Sequence, residues 1–238
     1  MSLLGPAAIL ISFDVEPTSI AEHDEWHSRE HMPERLSIPG FRRGTRWRNE
    51  SRGPGYLVIY EVADAAVLIS DAYMRCLDNP TPWSSAMMKS CRNMARGLCR
   101  VVASVGQGTG GNALFIGMAA VEGQEDELRR WVCADALPWL CTQPGIIAAH
   151  LLEATATAPM TKEQRIRGKD ADIRFALFAT GYDHAAMTRL LHPALQFLEG
   201  PAATSATARA GVYRLAAALL DADPMAADTL HGARRKLG

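Results

Sequence analysis

The chain has 238 residues, of which 48% are hydrophobic and 21% charged, with a formal net charge of -1. That is the composition of a globular protein with a sizeable core, and so balanced a charge offers no field to draw nucleic acid or an acidic membrane surface. Five cysteines, Cys76, Cys91, Cys99, Cys133 and Cys141, form no CxxC pair; buried thiols in a reduced, cytoplasmic setting are expected.

The first element is an apolar run, Leu3 to Phe13. It lacks a basic start, is followed at once by Asp14 and Glu16, and is too short to span a bilayer, so it reads as a strand rather than a leader. Ile9, Ile11 and Phe13 share one face of it. Ser19 and Glu22 have the spacing of a capping box and predict a helix to about Leu36, kinked near Arg29 because Pro33 cannot donate a backbone hydrogen bond. Strands are predicted at Phe41–Arg48 and Tyr56–Tyr60, with a turn at 50–55. A second helix is capped by Asp64 and runs to about Leu77, a third covers Trp83–Met94, and a strand covers Leu98–Val105.

The order β-α-β-β-α-β is then repeated. Trp26, Pro33, Pro39 and Gly40 recur 105 residues later as Trp131, Pro138, Pro144 and Gly145, and a repeat defines the structural unit. The second half reads as strand 113–119, helix 124–141, strands 146–154 and 173–180, helix 184–199 and strand 211–219. Its polar insertion, Pro159 to Asp172, reads as a mobile surface loop. The expected fold class is α+β: two tandem ferredoxin-like units packed sheet to sheet as an α+β barrel. The expected division is 1–106 for the first unit, 112–220 for the second and 221–238 for a tail, with a joint at 107–112. A unit this size covers one sheet face with its own helices, and the other face needs a partner: the second half, or a second chain in a homodimer.

The run Glu25-Trp26-His27-Ser28-Arg29-Glu30-His31-Met32-Pro33 and the turn Ile38-Pro39-Gly40-Phe41 resemble the first helix and turn of the dimeric α+β barrel superfamily, and most closely its EthD-like branch. Asn79-Pro80-Thr81-Pro82-Trp83 and Asn93-Met94-Ala95-Arg96-Gly97 sit where such proteins carry a later helix. The resemblance covers most of residues 8–105. It implies the barrel, and activities that range from cofactor-free oxygenation of aromatic polyketides to isomerisation and haem degradation, so the fold constrains function weakly.

The halves differ in polar content. At the 105-residue offset His23, His27, Glu30 and His31 become Leu128, Val132, Asp135 and Ala136. Either the first half alone kept a site, or the second drifted with its helix buried differently. His23, His27 and His31 lie along one side of a helix, but a rise of 1.5 Å per residue separates the outer two by about 12 Å, so one metal cannot take all three. No HExxH is present, and no metal or cofactor is expected. The candidate catalytic residues are His31, as general acid or base, with Glu30 to orient it and His27 beside it; the alternative is a histidine that ties the helix end to a strand. Trp47, Tyr60, Trp83 and Met87 are candidates for an apolar substrate pocket or for plain core. Arg46, in a basic strand, either holds a substrate carboxylate or lies on an exposed face.

No GxSxG, phosphate loop or dinucleotide fingerprint is present, and the aromatic, basic sheet of an RNA-recognition domain is missing. The leading expectation is a cofactor-independent enzyme for a small aromatic or cyclic metabolite. The alternatives are a non-catalytic small-molecule-binding or assembly module, which predicts a backbone-bonded His31 with no opening beside it, and a haem protein with His31 or His27 as axial ligand. No nucleic-acid or membrane partner is expected.

Overall fold

A computed structural model describes residues 3–49, 55–156, 160–198 and 209–221. The first half comprises β1 (Ala7–Val15), α1 (Ile20–Trp26), α2 (Met32–Leu36), β2 (Phe41–Arg48), β3 (Tyr56–Val62), α3 (Asp71–Asp78), α4 (Pro82–Met87) and β4 (Cys91–Gly106). The second comprises β5 (Asn112–Met118), α5 (Glu125–Trp131), α6 (Leu137–Cys141), β6 (Ile146–Ala156), α7 (Lys162–Arg167), β7 (Ala171–Asp172), β8 (Phe175–Gly181), α8 (His184–Leu198) and β9 (Ala210–Leu220).

Eight strands close an antiparallel barrel in the order β1-β3-β2-β9-β5-β8-β6-β4, with β4 pairing back onto β1. Each half lends its last strand to the other: β4 pairs with β6, and β9 with β2. The inner face of each sheet is therefore covered within one chain. Alternate residues point inward, and Leu10, Trp47, Leu57, Phe115, Phe178 and Tyr213 fill the interior, as expected for a barrel of eight strands. The outer faces carry the helices. Ile9, Phe13, Val58 and Tyr60 meet the helices of the first half, and Leu114, Ile116 and Leu177 those of the second.

The long helix of each half bends as its sequence requires, in a specific form. Between α1 and α2, residues His27–His31 make a π turn in which the Met32 N–H reaches back to the His27 carbonyl. Val132–Ala136 do the same between α5 and α6, with Leu137 bonded to Val132. Each turn precedes a proline, Pro33 or Pro138, that has no N–H to offer the regular ladder. Gly40 and Gly145 then reverse the chain at φ +92° and +91°, and a Cβ on Gly40 would lie 2.5 Å from Val67.

Several expectations are corrected. Ser19 makes no side-chain cap, and a 3₁₀ turn at Pro17–Ser19 leads into α1 instead. Asp64 caps only a 3₁₀ turn, Ala65–Ile69, and Ser70 caps α3. The predicted helix Trp83–Met94 ends at Met87; Cys91 and Arg92 already pair with Val15 and Asp14 in β4, so Asn93–Gly97 is strand. The insertion is no loose loop. Residues 160–172 form α7 and β7, with Thr161, Glu163 and Asp170 buried. Its capping box, Thr161 with Gln164, is formed on both sides. The predicted tail beyond Asp221, and most of the turn at 50–55, lie outside the described residues.

Candidate active site

The insertion of the second half packs over the first half, between α3 and the turn after α4. Beneath it, between the α1–α2 helix and the outer face of β1, β3 and β4, lies a cavity of about 490 Å³ including its open mouth. It is narrow: water-molecule centres can occupy about 40 Å³ of it. Its walls include His23, His27, His31 and Arg35 from the helix, Tyr60 from β3, Tyr73 from α3, Arg96 from β4, and Glu163 and Arg167 from the insertion.

The π turn aligns the histidines. An α-helix turns 100° per residue, so positions four apart drift by about 40°, and the extra residue in the π turn offsets the drift. The imidazoles of His23, His27 and His31 follow one another at 5.5 and 5.3 Å between ring centres, and Trp26 lies 4.5 Å from His31. His27 is 3% exposed and His31 6%. The Nδ1 atoms of both, and Nε2 of His23, are buried without a hydrogen-bond partner. His31 therefore does not tie the helix to a strand.

Burial lowers the pKa of His31 well below 6.5, and the charges of Arg35, His27 and Arg167 add to it. Burial does the same to His27, helped by His23 and Arg46. For His23, burial outweighs the opposing hydrogen bond to Asp24. All three therefore favour the neutral imidazole at pH 7. Tyr60 is pushed up by burial, and its hydroxyl has no partner. Burial disfavours the Arg35 charge, but the carboxylate of Glu163 beside it holds Arg35 above its ordinary value. This ion pair is buried on both sides and joins helix α2 to the insertion.

Of the predicted site residues, the cavity brings together His27, His31 and Tyr60. Glu30 does not orient His31: its carboxylate accepts from the hydroxyls of Thr81 (2.6 Å) and Ser84 (3.3 Å) and so anchors α4. Trp47 points into the barrel, on the sheet face opposite the cavity. Trp83 and Met87 pack with Trp26 behind the helix. Arg46 is buried rather than exposed, and binds the Asp24 carbonyl at 3.1 Å. Arg35, Tyr73, Arg96, Glu163 and Arg167 were not singled out by spacing. Arg35 was legible as the next member of the series His23, His27, His31. Glu163 was legible in the Thr161–Gln164 capping box, which marks a helix where polarity alone suggested a loop.

Among the described residues no group of three His, Cys, Asp or Glu side chains is arranged to hold a metal ion. Any ligand larger than a few water molecules, haem macrocycle or polycyclic aromatic alike, would have to widen the cavity beside His27 and His31. No helix among the described residues is long and apolar enough to cross a membrane.

No family model matches the sequence, and no curated protein matches it. Solved structures share its fold. One is an anthrone oxidase-like protein, 12% identical, with a TM-score of 0.67 over 95% of this chain and 98% of that one. A protein provisionally named a monooxygenase, from Fusobacterium nucleatum subsp. nucleatum, is 9% identical with a TM-score of 0.52, over 92% and 94%. A protein provisionally named a chlorite dismutase is 12% identical with a TM-score of 0.52, over 89% and 94%. The chain has the ferredoxin-like, dimeric α+β barrel fold of these proteins.

Proposed function

We propose that the chain is a cofactor-independent enzyme that oxygenates a small aromatic or cyclic metabolite in the first-half cavity. The observation that carries this reading is His31, which favours its neutral form, lines a cavity and has a buried Nδ1 without a partner. A binding or assembly module would have left it bonded to backbone with no opening beside it.

A weak neutral base beside buried arginines suits a carbon acid whose anion is strongly delocalised. The methylene of an anthrone is one, and the likeness to an anthrone oxidase-like protein makes this class the first to try. His31 takes the methylene proton. The enolate passes its electrons to dioxygen, oxygen bonds to that carbon, and loss of water leaves a ketone. Anthrone and one dioxygen thus give anthraquinone and one water. The substrate is the reductant. Arg35 and Arg167, which lower the basicity of His31, favour the enolate charge. His27 is the second imidazole on the wall and a candidate proton relay.

We assign the chain to the EthD-like branch as a tandem fusion, on the residues 25–41 and their repeat. We divide it at the 107–112 joint into units 1–106 and 112–220, followed by the tail. A homodimer, if formed, joins two complete barrels, because each barrel closes within its own chain. All five cysteines are unpaired, which supports a reduced compartment such as the cytoplasm. The test is dioxygen uptake with hydroxylated anthrones. The expected result is one dioxygen consumed per quinone formed, and a loss of roughly 10²–10⁴ in rate on His31→Ala. Full activity in that variant, or no turnover of any polycyclic phenol, defeats the reading.

A further inference from the structure

Three arginines line the cavity, and two of them are matched by carboxylates. Arg35 pairs with Glu163, and with Glu34 at 3.0 Å. Arg167 pairs with Asp170 at 2.7 Å and reaches Glu163 at 3.7 Å. Arg96 differs. It is 8% exposed, its Nη2 donates to the neutral hydroxyl of Tyr73 at 2.9 Å, and its Nε has no partner. Among the described residues no carboxylate pairs with it. The nearby imidazoles carry no charge to offset.

A guanidinium removed from water without an anion is costly, and buried charges in folded proteins are paired or hydrogen-bonded on all sides. Arg96 is held instead by Tyr73, its guanidinium carbon 5.7 Å from the ring centre. It sits in β4 opposite Ile11, whose side chain also lines the cavity. At the matching register of the second half an apolar pair stands instead, Ile116 facing Ala210.

We propose that Arg96 is the docking point for an anionic oxygen, carboxylate or ionised hydroxyl, on the ligand of this cavity. The site therefore selects aromatic acids over neutral aromatics. This rests on the cavity being the ligand site, and not on the oxygenation chemistry. Nε and one Nη of a guanidinium present two parallel N–H donors, which match a carboxylate edge and impose an orientation that a lysine would not. Tyr73 fixes the fork through one N–H of Nη2.

The experiment compares benzoate with benzamide, equal in shape and unequal in charge, on the full chain by calorimetry at neutral pH. The account expects benzoate to bind at least roughly tenfold more tightly. Arg96→Gln removes that preference and Arg96→Lys keeps part of it. 4-Nitrophenol, measured on both sides of its own ionisation, separates the two anion sources. Tighter binding of the phenolate assigns the site to ionised hydroxyls as well, and indifference to its ionisation confines it to carboxylates. Should Arg96→Gln not fold, the Nε–Hε resonance of Arg96 in the unaltered protein decides: benzoate shifts it and benzamide does not. Equal binding of benzoate and benzamide, a preference untouched by Arg96→Gln, or an unmoved resonance overturns the proposal. His31→Ala keeps the preference while losing turnover, so failure of the enzymatic reading leaves a result distinguishable from failure of this one.

Discussion

The helix–sheet layers of the two halves share a backbone and are filled differently. His23, His27, His31 and Arg35 of the first half correspond to Leu128, Val132, Ala136 and Leu140 of the second, all buried. Matching registers extend the series across the sheet. Tyr60 opposes Ile9 where Ala179 opposes Leu114, and Arg96 opposes Ile11 where Ala210 opposes Ile116. Six polar side chains around a cavity are replaced by six apolar ones in a packed core. The second half shows that this fold needs none of the six to stand. The π turn teaches the converse. It occurs in both halves, before Pro33 and before Pro138, so it belongs to the fold, although only the first half uses it to align imidazoles. The halves also cooperate, since the insertion that seals the first-half cavity comes from the second half.

The largest expected effect separates the halves by activity. His31→Ala should cost roughly 10²–10⁴ in kcat/KM, whereas Val132→Ala in the second half should leave turnover unchanged, measured with the same anthrone. Equal losses would erase the distinction. Next comes the seal. Glu163→Ala leaves Arg35 and Arg167 short of a buried partner and should destabilise the chain by about 3–5 kcal/mol in urea unfolding. A change under 1 kcal/mol would mean that the insertion does not hold to the first half in solution.

A smaller effect runs the other way. His27→Val copies the second half and removes an imidazole with an unpartnered buried nitrogen, so unfolding should become harder by about 1 kcal/mol while activity falls. A variant less stable than the parent contradicts that accounting. A further effect is one of pH. His23, His27, His31 and His150 all have lowered pKa, that of His150 to about 4, with burial first among the causes. The unfolded chain takes up protons first, near pH 6.5, so Tm should be flat above that pH and decline as pH falls below it. Activity should show no step at pH 6.5, because His31 is still the free base there.

The repeat made the architecture legible: Trp26, Pro33 and Gly40 with their copies marked the two long helices, their bends and the turns after them. Where sequence misled, tertiary pairing had overridden local pattern. Trp83, Met87, Cys91 and Met94 recur at helical spacing, yet β1 needs a partner strand, and Cys91 and Arg92 supply it. The same occurred with capping: Ser19–Glu22 and Thr161–Gln164 have one signature, and only the second forms. For the site, His27 and His31 stood out because they vanish in the repeat. Arg96 lies in a strand with no helical series to mark it, and Glu163 reaches Arg35 across 128 residues of sequence, a distance no local spacing can read.

The most direct test of the claim that the site lies in the helix–sheet layer of the first half is imidazole NMR of the seven histidines during addition of a hydroxylated anthrone. The account predicts that the resonances of His27 and His31, neutral at pH 7, shift on binding, while those of His184 and His192 on α8 of the second half stay in place. Shifts confined to the second half, or an unperturbed His31 with the ligand bound, would contradict it.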